Sequence, residues 1–402
     1  MVLIKNPLTI IQGGSPTPTV EEKDINFYDY DGTLVASWTK AELANKAALP
    51  DNPSHTGLTA QGWNWDLAVL KTSGLNKIDV GQNYIPTDGK THIFVSVDAN
   101  NLASSVKFGV NGTVTVNWGD GTSTSSVSGT SATTVKSLNH TYSQAGDYEV
   151  TLDVGTGSGK ICNLVGNVSH GSSLWTIPSP SGSSVLASMM NKYKQVKEIW
   201  IGERVGLGIG NQANAAPFAF LSVEKISLPN TLSIGNGSFK NCTGVKFLAF
   251  PKNLTLSQTI SDGAFFKCWN LEHIALPSLS SQYANIIYQA NAFYGCTSLK
   301  RVGIQFQTLK ANICCNCPSL EEVYFSTPVT GTIATQALYT ALDGIPSRLT
   351  VLDFTKNTTV PTLADATTIP NATQGLVIKV PSSLLNNWKS SWSAYANYIV
   401  GV

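Results

Sequence analysis

A frame that recurs along the second half of the chain constrains its fold more than any other feature. "SFKNCTGVKFLAFP" (residues 238–251) aligns without a gap with "AFFKCWNLEHIALP" (264–277), and "NAFYGCTSLKRVGI" (291–304) follows the same frame shifted by one at its start. Each copy has a Phe, a Cys three positions on, a Leu or Val at six, and apolar residues at nine and eleven. Thus Phe239, Cys242, Val245, Leu248 and Phe250 correspond to Phe265, Cys268, Leu271, Ile274 and Leu276, and to Phe293, Cys296, Leu299, Val302 and Ile304. Two apolar residues separated by one position read as a short strand with one inward face. A unit this small cannot bury that face alone, so the units stack, with each Phe and Cys packed beneath its strand.

A looser copy, "CCNCPSLEEVYF", puts Cys314 at the Phe position and Cys317 at the Cys position, followed by Leu320, Val323 and Phe325. Degenerate copies hold Val196, Ile199 and Ile201; Val223, Ile226 and Leu228; and Leu349, Leu352 and Phe354. The spacing runs from the low to the high twenties, the range of leucine-rich repeats. Inserts such as "SLSSQYANIIYQA" (278–290) read as loops. The frame resembles the BspA-like leucine-rich repeats of bacterial surface proteins. That resemblance implies a solenoid over 171–402 that binds a protein or glycan at a surface and carries out no chemistry. The end of the chain is similar to the strand-plus-helix cap that closes such arrays, with Leu385, Trp388, Trp392 and Tyr395 turned inward.

Residues 89–170 alternate as β-strands do. "TVTVNWGDGTSTS" (113–125) places Val114, Val116 and Trp118 on one face before a Gly-Asp-Gly turn, and "LNHTYSQAGDYEVTLDV" (138–154) ends in a strand with Tyr148, Val150 and Leu152 alternating. Trp118, Asp120, Gly121, His140, Tyr142, Gly146 and Tyr148 resemble the marks of a PKD-type, Ig-like β-sandwich. That resemblance implies a spacer in which Asp120 caps a turn, or else helps to hold a cation.

"INFYDYDGTLVASW" (25–38) resembles the nucleophile motif of HAD phosphatases, with Asp29 as nucleophile and Asp31 as acid/base. The rest of that machinery is missing, because no Gly-Asp-x-x-x-Asp motif follows. Asp31-Gly32 between two strand-like runs instead predicts a two-residue hairpin of type I′. Thr39 and Glu42 have capping-box spacing for a helix that Pro50 would end. Trp63 and Trp65 read as the core of a small α+β domain over 25–88, with a docking surface as the alternative and hence as candidate attachment residues. The stretch 25–85 resembles N-terminal regions of phage structural proteins. Residues 1–24, with "GGSPTPTVEE", read as an attachment arm or linker.

The chain has 402 residues, of which only 13% are charged, with a net charge of +1 and no basic block. No nucleic-acid partner is implied. No run of eighteen apolar residues predicts a membrane helix, and neither end of the sequence reads as a leader or an anchor. The seven cysteines read as reduced, buried thiols, with Cys162 standing apart, and not as a disulfide framework or zinc site. "GTGSGK" (155–160) lacks the phosphate-loop form and reads as an interdomain linker. The expectation is therefore a multidomain, β-rich, non-enzymatic protein without cofactor, metal or catalytic residues. Residues 1–88 would attach to other virion proteins, and the solenoid would face host-surface or mucosal ligands. The setting is the surface of a phage particle, as head fibre, capsid decoration or tail adhesin, with a bacterial cell-surface adhesin as the alternative. A homo-oligomer is compatible with either setting.

Overall fold

The computed structural model describes residues 20–73, 77–100, 102–163, 175–176, 195–205, 207–209, 222–229, 231–234, 237–252, 259–260, 263–277, 287–288, 290–304, 308–325, 328–342, 345–365, 367–369 and 375–402. Residues 1–19 of the expected arm, the Cys162 side chain and most of the 278–290 insert lie outside the described residues. The protein is β-rich with few helices.

Strands β1 (Ile25–Tyr28) and β2 (Leu34–Trp38) form the antiparallel hairpin that Asp31-Gly32 predicts, with Gly32 at φ +86°. The turn itself is different. The Gly32 N–H donates to Asp29 O at 3.0 Å and the Asp29 N–H to Thr33 O at 2.9 Å, which makes a three-residue loop ending in a left-handed glycine. The Asp31 carboxylate favours this bulged form by accepting the Thr33 N–H at 2.9 Å. Thr39 and Glu42 make the expected capping box on helix α1 (Lys40–Ala44). The helix stops well short of Pro50, because Asn45 takes the C-cap and its side chain bonds back to Ala41 O at 3.1 Å.

Strand β3 (Leu58–Trp63), helix α2 (Leu67–Thr72) and strand β4 (Ile78–Pro86) complete this unit. The sheet order is β2-β1-β4-β3, with β4 parallel to β1 and antiparallel to β3. One face of the sheet buries Ile25, Phe27, Ile78 and Val80 against Trp38, Trp63, Leu43 and Leu70.

Strand β5 (Thr91–Val97) is followed by β6 (Ala103–Asn117), which pairs along most of its length with β7 (Ser125–Thr141). The other edge of β6 takes β8 (Gly146–Asp153), β9 (Lys160–Asn163) and β10 (Trp175–Thr176). "GTGSGK" is therefore a turn between two strands of one sheet, where a linker was expected. Lys160 already belongs to β9, and the Arg204 guanidinium holds the turn through the carbonyls of Thr156 and Gly157. Strand β5 pairs with β8 on one side and with β11 (Val196–Trp200) on the other, and β11 runs parallel to Lys225–Ser227. Hydrogen bonding thus continues unbroken from the middle region into the first degenerate repeats.

The later repeats stack in parallel. Phe247–Ala249 pairs with His273–Ala275, and Arg301–Ile304, Glu322–Phe325, Val351–Asp353, Val377–Val380 and Ile399–Gly401 make a five-stranded sheet. Leu248, Ile274, Val302, Val323, Leu352 and Ile378 all point into one core. The inserts are more than loops, since Ile287–Tyr288 pairs with Thr259–Ile260, and Thr362–Leu363 with Thr332–Ile333. Stacking brings successive inserts side by side, so their backbones can pair as the main strands do.

The frame residues account for the stack. Phe239, Phe265 and Phe293 lie nearly parallel, with centroids 5.5 and 5.2 Å apart. Their N–H groups donate to Ala264, Ala292 and Ile313 O of the next unit at 2.8–2.9 Å. The thiols act as donors as well as small apolar groups. Cys268, Cys296 and Cys317 each donate through Sγ to the Phe239, Phe265 and Phe293 carbonyls of the preceding unit, at 3.0, 3.1 and 3.1 Å. Burial pushes the Cys242 thiol up to about 12 and raises the others too, so they remain protonated. Cys314 and Cys315 are also buried and free. At the end of the array Trp388, Trp392 and Tyr395 are buried and Leu385 packs against the same core. Trp388 and Trp392 close over Phe354 at 5.0 and 5.5 Å.

Candidate binding face

Residues flanking each inward strand position point the other way, so the parallel strands present two outward rows. One row runs Phe247, His273, Arg301, Glu322, Val351 and Val377; the other runs Ala249, Ala275, Gly303, Tyr324, Asp353 and Lys379. The N-terminal unit occupies the upstream part of this face. Tyr28 packs on Phe247, Ala249 and Ala275, while Tyr30, Leu58 and Tyr84 pack on Trp200. Gly81 of β4 permits the approach, since a Cβ there would stand 2.5 Å from Ala249 Cβ and 2.9 Å from Ala275 Cβ.

Polar side chains on the docked unit reach backbone groups at the ends of the repeat strands. Asn64 Nδ2 donates to Phe250 O and Ala275 O at 3.0 Å each, and Asn83 Nδ2 to Ala249 O at 3.2 Å. The Leu228 N–H returns a bond to Asn83 Oδ1 at 2.9 Å. At the downstream end of the contact lies a buried ionic network. Arg301 Nε donates to both oxygens of Asp79 at 3.0 Å, and its Nη2 donates to Glu22 Oε2 at 2.6 Å and to the Tyr28 hydroxyl at 3.0 Å. His273 Nδ1 lies 3.2 Å from Asp79 Oδ2, with its ring stacked on Tyr28 at 4.8 Å. Burial drives the Asp79 carboxyl upward, but Arg301 and His273 outweigh it and hold the group below its ordinary range. Glu22 is likewise held low, with burial opposed by Arg301 and His273. Glu22 belongs to the stretch read as an arm; it is part of the contact.

Beyond Arg301 the face opens. A cleft of about 290 Å³ lies there, with Asp24, Lys40 and Lys77 on the N-terminal side and Glu322, Tyr324, Val351, Asp353 and Lys379 on the strands. Lys77 Nζ spans it to Glu322 Oε1 at 3.0 Å.

Phe239, Cys242, Phe265, Cys268, Phe293, Cys296 and Cys317 are fully buried in the shared core. The docking alternative for Trp63 and Trp65 is corrected, because both are buried. Their Nε1 groups are spent within the chain, on Pro50 O at 2.8 Å and Leu276 O at 2.9 Å. Asp29 is 5% exposed and both of its carboxylate oxygens have partners. Oδ1 receives the Tyr30 N–H and the Tyr84 hydroxyl at 2.8 Å each, and Oδ2 lies 2.7 Å from His55 Nε2. These contacts make that carboxylate a buried acceptor that ties the hairpin to Tyr84 and His55.

The motif residues of the middle region do meet. The His140 ring stacks on Trp118 at 4.8 Å, and Tyr142 stacks on Tyr148 at 4.2 Å. Asp120 caps its turn through the Thr122 N–H at 3.1 Å and hydroxyl at 2.6 Å, and its other oxygen lies 2.7 Å from His140 Nε2. Among the described residues no His, Cys, Asp or Glu group is arranged to hold a metal ion, and no helix is long and apolar enough to cross a membrane.

The repeats are of a recognised class. A family model, the BspA type leucine rich repeat region, matches residues 211–341 in six copies. Residues 211–341 thus carry BspA-type leucine-rich repeats, a class that suggests a surface protein of adhesin type. No curated protein matches the chain.

The residues that sequence reasoning missed are Glu22, Asp79, His273 and Arg301, along with Lys40 and Lys379 of the cleft. A signal existed for two of them. His273 and Arg301 stand at outward positions of the repeat frame, where the neighbouring copy has only Phe247 and the companion row has only Ala249, Ala275 and Gly303.

Proposed function

We propose that the protein is a non-enzymatic surface adhesin whose repeats form a solenoid and whose ligands are a host or mucosal protein or glycan. The observation that carries this reading is the run of six BspA-type repeats over residues 211–341. In the same reading the 89–163 sheet is a PKD-type sandwich that braces the first repeat through β5, and the N-terminal unit covers the upstream face. The setting is a bacterial cell surface. The second reading, a phage virion protein held on its particle by residues 1–88, draws on the resemblance of residues 25–85 to phage structural proteins. An antibody to the folded repeats tests both readings. Label on intact source bacteria supports the first, label on purified particles supports the second, and label found only after cell lysis contradicts both. Phosphomonoester hydrolysis with Mg²⁺ should be equal at background for the parent and Asp29→Asn; activity that depends on Asp29 would contradict the non-enzymatic reading.

A further inference from the structure

Strand β7 is paired on one side only. Its partner is β6, and among the described residues no strand bonds to its outer edge. Alternate residues along that edge therefore turn N–H and C=O groups outward. Long edges are usually blunted by charge, proline or a bulge. The register of β7 shifts where Val110–Ser131 gives way to Gly109–Val135, but residues 125–131 pair without interruption. No charged residue and no proline occurs from 121 to 135. The two faces of this stretch are fixed. Ser125 Oγ accepts the Trp118 Nε1–H at 3.1 Å and Val127 packs against the core, so both face inward. Gly129 shares their face, and a Cβ there would stand 2.6 Å from Val110 O. Ser126, Ser128 and Thr130 are exposed on the other face.

We propose that residues 125–131 are the contact of a twofold homodimer, in which the β7 strands of two copies pair antiparallel, edge to edge. The proposal goes beyond the adhesin reading and does not depend on it. Three features favour a second copy over an unrelated extended peptide. A hydroxyl both donates and accepts, so a row of Ser and Thr matches an identical row. The strand already pairs in this way with β6, where Thr113 Oγ1 lies 2.8 Å from Ser128 Oγ and Thr115 Oγ1 lies 2.9 Å from Ser126 Oγ. An uncharged stretch also meets its own copy without like-charge repulsion. Finally, an axis on Ser128, the midpoint of the regular stretch, pairs all of it. That register sets Ser126 against Thr130 on the exposed face and Val127 against Gly129 on the inner one, so the larger side chain lies over the residue that has none. A twofold contact of this kind closes on itself and leaves neither β7 edge open to further growth.

Sedimentation velocity of the intact chain across a dilution series reads the association. The expected result is a reversible monomer–dimer equilibrium that added salt leaves almost unchanged, because no charges meet in the contact. Ser128→Lys sets two like charges opposite each other on the axis and should weaken the dimer about tenfold. Thr113→Lys, on the same face but one strand further in, should leave it within about twofold. Far-UV circular dichroism of both variants checks that the sheet is kept. Ser128→Cys reads the same contact without adding a charge. Opposed residues of an antiparallel pair lie within disulfide reach, so mild oxidation should give a covalent dimer that Thr113→Cys does not give. A chain that stays monomeric at every concentration, a dimer that a folded Ser128→Lys does not weaken, equal cross-linking of the two Cys variants, or assembly beyond the dimer would each overturn the assignment. None of those results touches the antibody labelling that decides the adhesin reading.

Discussion

The outward rows of the repeat strands are built in two ways. Upstream they carry Ala249 and Ala275, residues small enough for the N-terminal sheet to lie directly on the strands; downstream the Tyr324 ring covers Gly303 and packs on the N-terminal core, with Asp353 and Lys379 beside a small cleft. Arg301 marks the boundary, where its buried charge joins the two parts. One repeat frame thus serves as a closely packed internal interface at one end and as the wall of a small cleft at the other. The inward residues are nearly the same throughout, so the outward ones make the difference.

The largest expected effect separates the two halves. Arg301→Ala strands Asp79 as a buried unpaired charge, a change that costs about 3–5 kcal/mol, whereas Lys379→Ala should stay within about 0.5 kcal/mol. Urea unfolding of both variants checks this, and equal midpoint shifts would erase the distinction. Acid acts on the same network. Asp79 and Glu22 titrate below their ordinary range, so the stability they contribute is present at neutral pH and is lost as pH falls through those depressed values. Stability should therefore drop below the usual carboxylate range, with a shallower slope in Asp79→Asn. A parallel slope in that variant would remove Asp79 from the account.

Gly81→Val crowds Ala249 and Ala275 and should cost about 1–3 kcal/mol, part of which Ala275→Gly recovers. No recovery would mean that the two surfaces do not touch there. Smallest is Cys296→Ala, which removes a thiol donor inside the stack at a cost of about 1–2 kcal/mol. Calorimetry reads it, and Lys267→Ala on the neighbouring turn serves as a control near zero.

The parts legible in the sequence were those set by local periodicity. Phe265, Cys268 and Ile274 announce an inward face whatever surrounds them, and even the degenerate copies at Val196, Val223 and Leu349 were readable because burial demands the same spacing. Asp31-Gly32 fixed a hairpin, although not its turn, since the bulge depends on which carboxylate caps Thr33. The contact between the N-terminal unit and the repeats was not legible, because it joins residues far apart in the chain. Asp79 and Arg301 meet only once both sheets have formed, and nothing local to either one names the other. The same holds for the cleft, where Lys40 and Lys379 come from opposite ends of the chain. Trp65 carried a misleading signal: an aromatic in a small unit can serve its own core or a neighbour, and here the neighbour is Leu276 of the same chain.

The central claim is that the N-terminal unit is fixed to the upstream repeats through this buried network. A double-mutant cycle on Asp79→Asn and Arg301→Gln, read by urea unfolding of the intact chain, tests it most directly. Direct contact between the buried groups predicts a coupling energy of about 2–3 kcal/mol, whereas effects that add to within about 0.5 kcal/mol would contradict the account.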